Sequence, residues 1–492
     1  MTIRLAVLSP NRFSDGIFES LCKQSSGSVE IALNLGKKQA DYRATSLSRM
    51  NARRAKSGHL LDGARRRGLE QALFEHSDYY RLRAEFTDHM GRSSYRAKVK
   101  SHALETIDDY HSYYHVLCEA LATELIDRRV THVVFLNVPH LGYDTALHHV
   151  ARALGLPVLI LTQSLFANRV FSMTDPADMG QVPGVPADAP RHAIKQDARL
   201  DLFYMKGIRQ DRGTPGRISA AAIAELVFFL VQRRRLKALN PFYVGRLIKR
   251  MNRIYRGLPD WRDPFARFFH EDSLAYFEHL CEFEDQDVDL SGDFVYFPLQ
   301  MQPEMTTSAI GGGYSDQAYA IERLAAILPD GVRILVKENP KQGAYMRGPL
   351  FFHRLQRIPA VQFLPSWANT HDLMANARFV ATVTGTAGWE AICQGKPALV
   401  FGHAWYRDLP GVVKFDKDVT YDDVAQKSWD HAALESAVGG LLARTHTGVI
   451  DPAYRQIYPD FDADQNAKAL ATTLLDLLQG RITLTFGKTA AT

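Results

Sequence analysis

Acid is missing from one stretch of this chain. Between Leu226 and Pro259 there are nine Lys or Arg and no Asp or Glu, whereas the rest of the sequence carries 50 basic against 54 acidic residues. The net charge of +5 is therefore local and asks for a local explanation. Cysteine is scarce as well. Cys22, Cys118, Cys281 and Cys393 are scattered without metal-ligand spacing. That argues against a disulfide framework or a structural zinc site and fits a reduced, cytoplasmic compartment. No run approaches the ~18 uninterrupted apolar residues of a membrane span, so no transmembrane helix is expected. The N-terminal apolar run stops at Ser9-Pro10, too short for the core of a signal peptide but long enough for a strand. A Ser-His-Asp pattern, a His-Glu-x-x-His pattern and an Asp-x-Asp pair at a strand end are also absent. Neither a metal nor a cofactor is expected.

What is present is an ordinary globular composition, 46% hydrophobic and 23% charged over 492 residues, enough for two or three domains. Residues 3–8 read as a buried strand, and residues 30–70 as polar and basic. Helical spacing runs over 97–128. Then strand 132–138, helix 145–154 and strand 157–162 form a βαβ unit, which implies a parallel sheet. Residues 170–215, rich in Pro, Asp, Gly and Ala, read as a long loop. Residues 218–256 read as helical with a break near Asn240-Pro241, and 262–284 as an aromatic, acidic helix. Alternation resumes at 293–300 and continues through strands 333–337, 360–364, 378–383 and 397–401 and helices 349–356, 370–376 and 387–394. An amphipathic helix closes the chain at 463–478.

The predicted fold class is thus α/β: two Rossmann-like parallel-sheet domains facing a cleft, with a helical basic insertion in the N-terminal half. The expected domains are 1–290, with the insertion over about 170–285, then 291–450, then a helical tail 451–492 that packs back on the first domain. Parallel sheets bind ligands at the carboxyl ends of their strands, so the loops after the strands hold the candidates.

Thr384-Gly385-Thr386 lies between a strand and a helix. A helix N-terminus with free N–H groups, close backbone approach at Gly385 and threonine hydroxyls suits a phosphate; the same residues also suit a plain helix cap. Glu390 falls one turn beyond Thr386 on the same face, where a carboxylate can accept from ribose hydroxyls or simply face solvent. Lys337 and Asn339, with Lys341, follow a strand; they can meet a diphosphate or a sugar acid, or form a charged turn. Gly312 and Gly313 belong to a glycine run that fits either phosphate or flexibility, and Glu304 is the carboxylate near that strand end. In the first domain Asp144 is a helix cap or a nucleophile or general base, and His140 an acid/base partner or a satisfied loop histidine.

The basic stretch admits two readings. In a helix from Phe242, the apolar residues Val244, Leu247, Ile248, Met251 and Tyr255 recur at helical spacing, while Arg246, Lys249, Arg250, Arg253 and Arg256 cover the rest. That is the pattern of an interfacial helix on an anionic inner-membrane surface. Alternatively LVFFLV at 226–231 packs in a core and the arginines are a solvated face. No nucleic-acid-binding motif is present.

YFPLQMQPEMTT, ILVKENP and VTGTAGWEAICQGKPALVFGHAWY, in that order, resemble the capsule polysaccharide biosynthesis family, which includes the bacterial β-Kdo transferases of capsule export. The resemblance is strongest over about 294–415 and extends less fully to the 137–163 unit. It implies a GT-B fold with a nucleotide-sugar donor, CMP-linked Kdo in members of assigned activity, on the C-terminal domain. It implies a polysaccharide or glycolipid acceptor on the N-terminal one. On that pattern Thr384 and Thr386 hold the donor phosphate and Glu390 the ribose. One departure is Asn339-Pro340, where relatives commonly have His-Pro; Asn donates a hydrogen bond but carries no charge. A nucleotide-sugar epimerase shares the architecture, and a non-catalytic sugar- or lipid-binding component of capsule assembly is the other alternative.

Overall fold

A computed structural model describes residues 2–9, 12–36, 41–43, 68–76, 78–91, 104, 106–184, 188–196, 203–205, 212–265, 269, 271–344 and 347–487. The arginine cluster Arg53, Arg54, Arg65, Arg66 and Arg67 and the strand-end residues Pro10 and Asn11 lie outside them.

The described residues form two sheets. The first uses β1 (Ile3–Ser9), β2 (Val29–Gly36), β3 (Tyr42–Arg43), β4 (His132–Phe135), β5 (Val158–Gln163) and β6 (Arg169–Met173). The second uses β7 (Phe294–Pro298), β8 (Arg333–Lys337), β9 (Val361–Leu364), β10 (Val380–Thr382), β11 (Ala398–Val400) and β12 (Val412–Lys414). A short β13 (His446–Thr447) returns to the first sheet, whose order is β13-β6-β5-β4-β1-β2-β3. The pairings from β5 to β3 are parallel, and β6 is antiparallel to both of its neighbours. The second sheet, β12-β11-β10-β7-β8-β9, is parallel throughout. Its strands are nearly continuous apolar runs, as a sheet covered on both faces requires. The fold class is α/β with two Rossmann-like sheets.

The Gly395-Lys396-Pro397 turn shows how sequence ends one element and starts the next. Gly395 adopts φ +77°. Its N–H donates to the Ile392 carbonyl and the Lys396 N–H to the Ala391 carbonyl, so the helix Thr386–Cys393 closes in a Schellman motif. Pro397 then forbids continuation and β11 begins at Ala398.

Two compact units result: Met1–Phe86, Glu105–Ala193 and Ala432–Thr492 in the first, Thr87–Leu104 and Ile194–His431 in the second. The division falls at residue 194 rather than at the expected 290. The reason is packing. Leu226, Phe229 and Leu230 of helix Ala220–Arg233, Leu247, Met251, Ile254 and Tyr255 of helix Pro241–Gly257, and Leu274 and Phe277 of helix Glu271–Glu284 share one core with Val295, Phe297, Ile334 and Val336 of the second sheet. This also corrects the expected membrane stripe: Leu247, Met251 and Tyr255 are buried. The terminal helix Ala463–Leu478 buries Leu470, Ala471 and Leu474 against Leu21 and Leu5 of the first unit. Part of the expected 170–215 loop is β6, and part of the polar 30–70 segment is β2. All four cysteines are free. No helix among the described residues is long and apolar enough to cross a membrane.

Candidate functional site

In the second sheet the chain winds outward from β7 through β8 to β9, then returns to β10 and winds the other way. The loops after β7 and β10 leave their neighbouring strands in opposite directions, the switch point where open α/β sheets take ligands. Gln300, two residues past β7, ties the two loops together. Its Oε1 accepts from the Thr384 N–H at 2.9 Å, and its Nε2 donates to Thr384 Oγ1 at 3.2 Å. Thr384 Oγ1 in turn donates to the Thr306 carbonyl at 2.6 Å. Thr384 is buried and its N–H and hydroxyl are both engaged. It therefore braces the site, which corrects its expected role of holding the donor phosphate.

The next residues are less committed. The Gly385 N–H donates to Thr382 Oγ1 at 3.1 Å, and its carbonyl accepts from the Tyr406 hydroxyl and from the Gly388 N–H. Thr386 and Ala387 open the helix, and their N–H groups have no intrahelical acceptor. Glu390, one turn on, is buried, and desolvation pushes its carboxyl up to about 7 while a hydrogen bond with the Thr386 side chain opposes the shift. Near neutral pH this group can therefore accept from a hydroxyl or donate to one. The sequence-predicted trio Gly385, Thr386 and Glu390 is brought together.

The glycine run lies beside this helix start. The Ile310 carbonyl accepts from the His403 N–H at 2.7 Å, and a Cβ on Gly402 would stand 2.7 Å from both that carbonyl and Thr384 Cγ2. Only glycine fits there. Gly312, exposed and at φ +58°, faces the His403 ring, whose Nε2 lies 3.1 Å from an ideal Cβ. Arg407 donates to His403 Nδ1, which fixes the proton of a neutral ring on Nε2, toward Gly312. His403 and Arg407 are additions that sequence reasoning missed, although His403 falls inside the VTGTAGWEAICQGKPALVFGHAWY motif and Arg407 directly follows it. Gly313 is exposed beside them.

Lys337 does not belong to this surface. It is buried, its Nζ donates to the Ala368 carbonyl at 2.6 Å and to Thr370 Oγ1 at 3.1 Å, and burial pulls its ammonium down to about 8. It holds the loop after β9, not a diphosphate. Asn339 is half-buried, and its Oδ1 accepts from the Lys341 N–H at 2.9 Å, folding an Asx turn. Glu304 is half-buried before the short helix Met305–Ser308, where Oε2 accepts from the Thr306 hydroxyl at 2.9 Å.

A buried network that sequence did not disclose supports these loops. The Arg347 guanidinium, fully buried, donates to Glu338 Oε2 at 3.1 Å, to Gln302 Oε1 at 2.6 Å and to the Gln300 carbonyl at 2.9 Å. Gln317 pairs with the Gln300 backbone in both directions, at 2.7 and 2.9 Å. Gln342 does the same for Gln302, at 2.7 and 2.6 Å. In the loop after β7 the N–H and carbonyl of both Gln300 and Gln302 are thus held by a side-chain amide.

In the first unit, Asp144 stands in the first turn of helix Tyr143–Ala153, with Gly142 as N-cap. Its Oδ1 accepts from the N–H groups of His140, Leu141 and Thr145 at 3.1, 2.6 and 2.8 Å. His140 Nδ1 bonds the Val138 carbonyl at 2.7 Å. Both residues are buried and brace the loop after β4.

Residues 273–439 match the model of the capsule polysaccharide biosynthesis protein family. No curated protein matches the chain. Among solved structures it is similar to the β-Kdo 2,4 transferase of KpsC from Thermosulfurimonas dismutans, at 13% identity over 65% of this chain and 82% of that one, TM-score 0.29. It is similar to the β-Kdo 2,7 transferase of the same protein, at 11% identity over 72% and 90%, TM-score 0.30. It is also similar to UDP-GlcNAc 2-epimerase from Methanocaldococcus jannaschii, at 9% identity over 98% and 100%, TM-score 0.22. No assignment rests on likenesses at those scores. The family match does carry weight, because it contains β7 to β12 with every loop described above for the second sheet. Over residues 273–439, about a third of the chain, this protein is similar to the capsule polysaccharide biosynthesis protein family.

Proposed function

We propose that this protein is a glycosyltransferase of surface-polysaccharide synthesis that takes a nucleotide-sugar donor at the carboxyl end of its second sheet. The observation that carries the reading is the division of roles there. Gln300, Thr382 and Thr384 satisfy one another and the loop backbone. The first N–H groups of the helix are left for a ligand, and the Glu390 carboxyl, bonded to the Thr386 side chain, stands one turn behind them, inside the segment that matches the family. A donor phosphate would meet the N–H groups of Thr386 and Ala387 and the Thr386 hydroxyl, helped by the helix dipole. Glu390 would meet ribose hydroxyls, and His403 would reach the donor from the Gly312 side. In this proposal Thr386, Gly385, Glu390, Gly312 and Gly313 remain donor-side residues, while Lys337 and Thr384 act as supports.

The finer proposal is a CMP-linked donor of Kdo or a related sugar acid, transferred without a metal to a polysaccharide or glycolipid acceptor on the first unit. Asn339, in place of a histidine, would meet the sugar by hydrogen bonding alone. The test is thermal unfolding of the purified chain against a panel of nucleotide sugars and free nucleotides, with and without EDTA. A rise in Tm with at least one nucleotide sugar, smaller in Glu390→Ala, is expected. No rise with any member of the panel overturns the reading.

A further inference from the structure

The helices Ala220–Arg233 and Pro241–Gly257, with the short helix Arg235–Ala238 between them, send their apolar residues in two directions. One set enters the core of the second unit. The other does not. Ile223, Val227 and Val231 recur every fourth residue, hence on one face, and each is about half exposed. Leu236, Leu239 and Phe242 are 85%, 81% and 81% exposed, the three most exposed large apolar side chains among the described residues. They lie within seven residues of one another, at the tip where the helices connect.

The charge on the helices themselves, from Leu226 to Pro259, has one sign. Arg234 pairs with Glu271 at 3.2 Å, and Arg250 and Arg253 pair with Glu278 at 2.6 and 3.5 Å. Those three are structural. Arg233, Arg235, Arg246, Lys249 and Arg256 are exposed and have no carboxylate partner among the described residues. An exposed leucine–phenylalanine tip within a basic collar matches an anionic bilayer, which offers apolar depth beneath a layer of phosphate. A nucleic-acid backbone would satisfy the collar but leave the tip wet. A second copy of the tip would set like charges against each other. No helix among the described residues is long and apolar enough to cross a membrane, and the contact considered is with the bilayer surface.

We propose that this helical tip docks on an anionic lipid surface, with Leu236, Leu239 and Phe242 entering the interface and Arg233, Arg235, Arg246 and Lys249 meeting the headgroup phosphates. The inference stands on this surface alone and is independent of the donor reading, since docking is measured with no nucleotide sugar present. The experiment is co-sedimentation of the full chain with phosphatidylcholine vesicles and with phosphatidylcholine–phosphatidylglycerol vesicles, at low and high salt. Binding to the anionic vesicles is expected to exceed binding to the neutral ones at least tenfold and to weaken in high salt. The variant Leu236→Ser/Leu239→Ser/Phe242→Ser is expected to lose about tenfold or more, because each side chain removed would have left water for the interface. Replacing Arg233, Arg235, Arg246 and Lys249 by Gln is expected to abolish the salt dependence. All these positions are exposed, so the variants should fold, as circular dichroism checks. Equal recovery with both vesicle types overturns the proposal, as does triple-variant binding equal to wild type. So does an oligonucleotide that binds wild type and triple variant alike, or a dimer in sedimentation analysis that the triple variant breaks while vesicle binding persists.

Discussion

The loop after β4 in the first unit and the loops after β7 and β10 in the second solve the same problem by different means. Each must hold an irregular backbone at the end of a buried strand. In the first, one carboxylate oxygen does it: Asp144 Oδ1 accepts from three N–H groups. In the second, amides and hydroxyls do it, with the buried Arg347–Glu338 pair behind them: Gln300, Gln302, Gln317, Gln342, Thr382 and Thr384. A charge spent on its own loop is a brace. A loop held without Glu390 leaves that carboxyl and the helix terminus for something else. Strand-end carboxylates are therefore not equivalent, and their hydrogen-bond partners separate them better than their position does.

The largest effect is expected from removing the support in the second unit. Arg347→Ala leaves Glu338 as an unpaired buried carboxylate, and it strips Gln302 and the Gln300 carbonyl of a donor. Breaking a buried pair in this way costs about 3–5 kcal/mol. Urea unfolding should show that loss, with donor binding lost in parallel. A loss under 1 kcal/mol, a threshold set at roughly the worth of one ordinary hydrogen bond, would mean that the loops do not depend on the network.

This network is also where sequence reading stopped. β8, with helices Pro349–Gln356, Thr370–Asn376 and Ala463–Leu478, is legible to the residue, because apolar periodicity and flanking turn residues are local signals. Gly385, Thr386 and Glu390 are legible because a strand, a turn and a helix follow one another within a dozen residues. Arg347 and Gln300 are 47 residues apart and meet only once β7 and β8 pair. Nothing local marks Arg347 as buried or Lys337 as turned away from the site. The face of helix Pro241–Gly257 that enters the core is hidden for the same reason. Its apolar stripe is visible, but the partner that covers the stripe is helix Glu271–Glu284, further along the chain, which joins it to the core of the second sheet.

A second contrast concerns pH. Glu390, raised to about 7 by burial, binds more protons folded than unfolded between roughly pH 4.5 and 7. Its contribution to stability is therefore full below about pH 4.5 and lost as pH rises through about 7, a swing of at most about 3 kcal/mol. His148 and His149 in the first unit are lowered by burial, so the unfolded chain binds more protons, and their contribution is lost as pH falls below roughly 6.5. Glu390→Gln should remove the alkaline-side loss and leave the acid-side loss in place. An unchanged alkaline limb in thermal unfolding from pH 5 to 8 would place the Glu390 titration elsewhere.

A smaller effect is expected at Asp144. Asp144→Ala removes one acceptor shared by three N–H groups and should cost about 1–2 kcal/mol. Asp144→Asn keeps a carbonyl oxygen in place and should cost less than about 1 kcal/mol. If the residue is a brace, Asp144→Asn keeps transfer at near wild-type kcat. If transfer falls a hundredfold or more with the fold intact, the carboxylate also acts on the acceptor, and the contrast between the two units weakens.

The sharpest test of the comparison lies in two threonines two residues apart. The Thr384 hydroxyl is buried between the Thr306 carbonyl and the Gln300 amide. Thr384→Val leaves both without a partner and should cost about 1–3 kcal/mol. Thr386 is half-exposed at the start of its helix, and Thr386→Val, which loses the hydrogen bond with Glu390, should cost about 1 kcal/mol or less. For donor binding the order reverses. A hydroxyl that meets the phosphate directly is worth about 1 kcal/mol of net hydrogen bonding, so Thr386→Val should weaken nucleotide-sugar binding roughly fivefold in calorimetry. Thr384→Val, measured well below its Tm, should bind within about twofold of wild type unless the loop has moved, since a braced loop retains its other contacts. Weaker donor binding in Thr384→Val than in Thr386→Val would reverse the roles and make the buried hydroxyl the ligand contact.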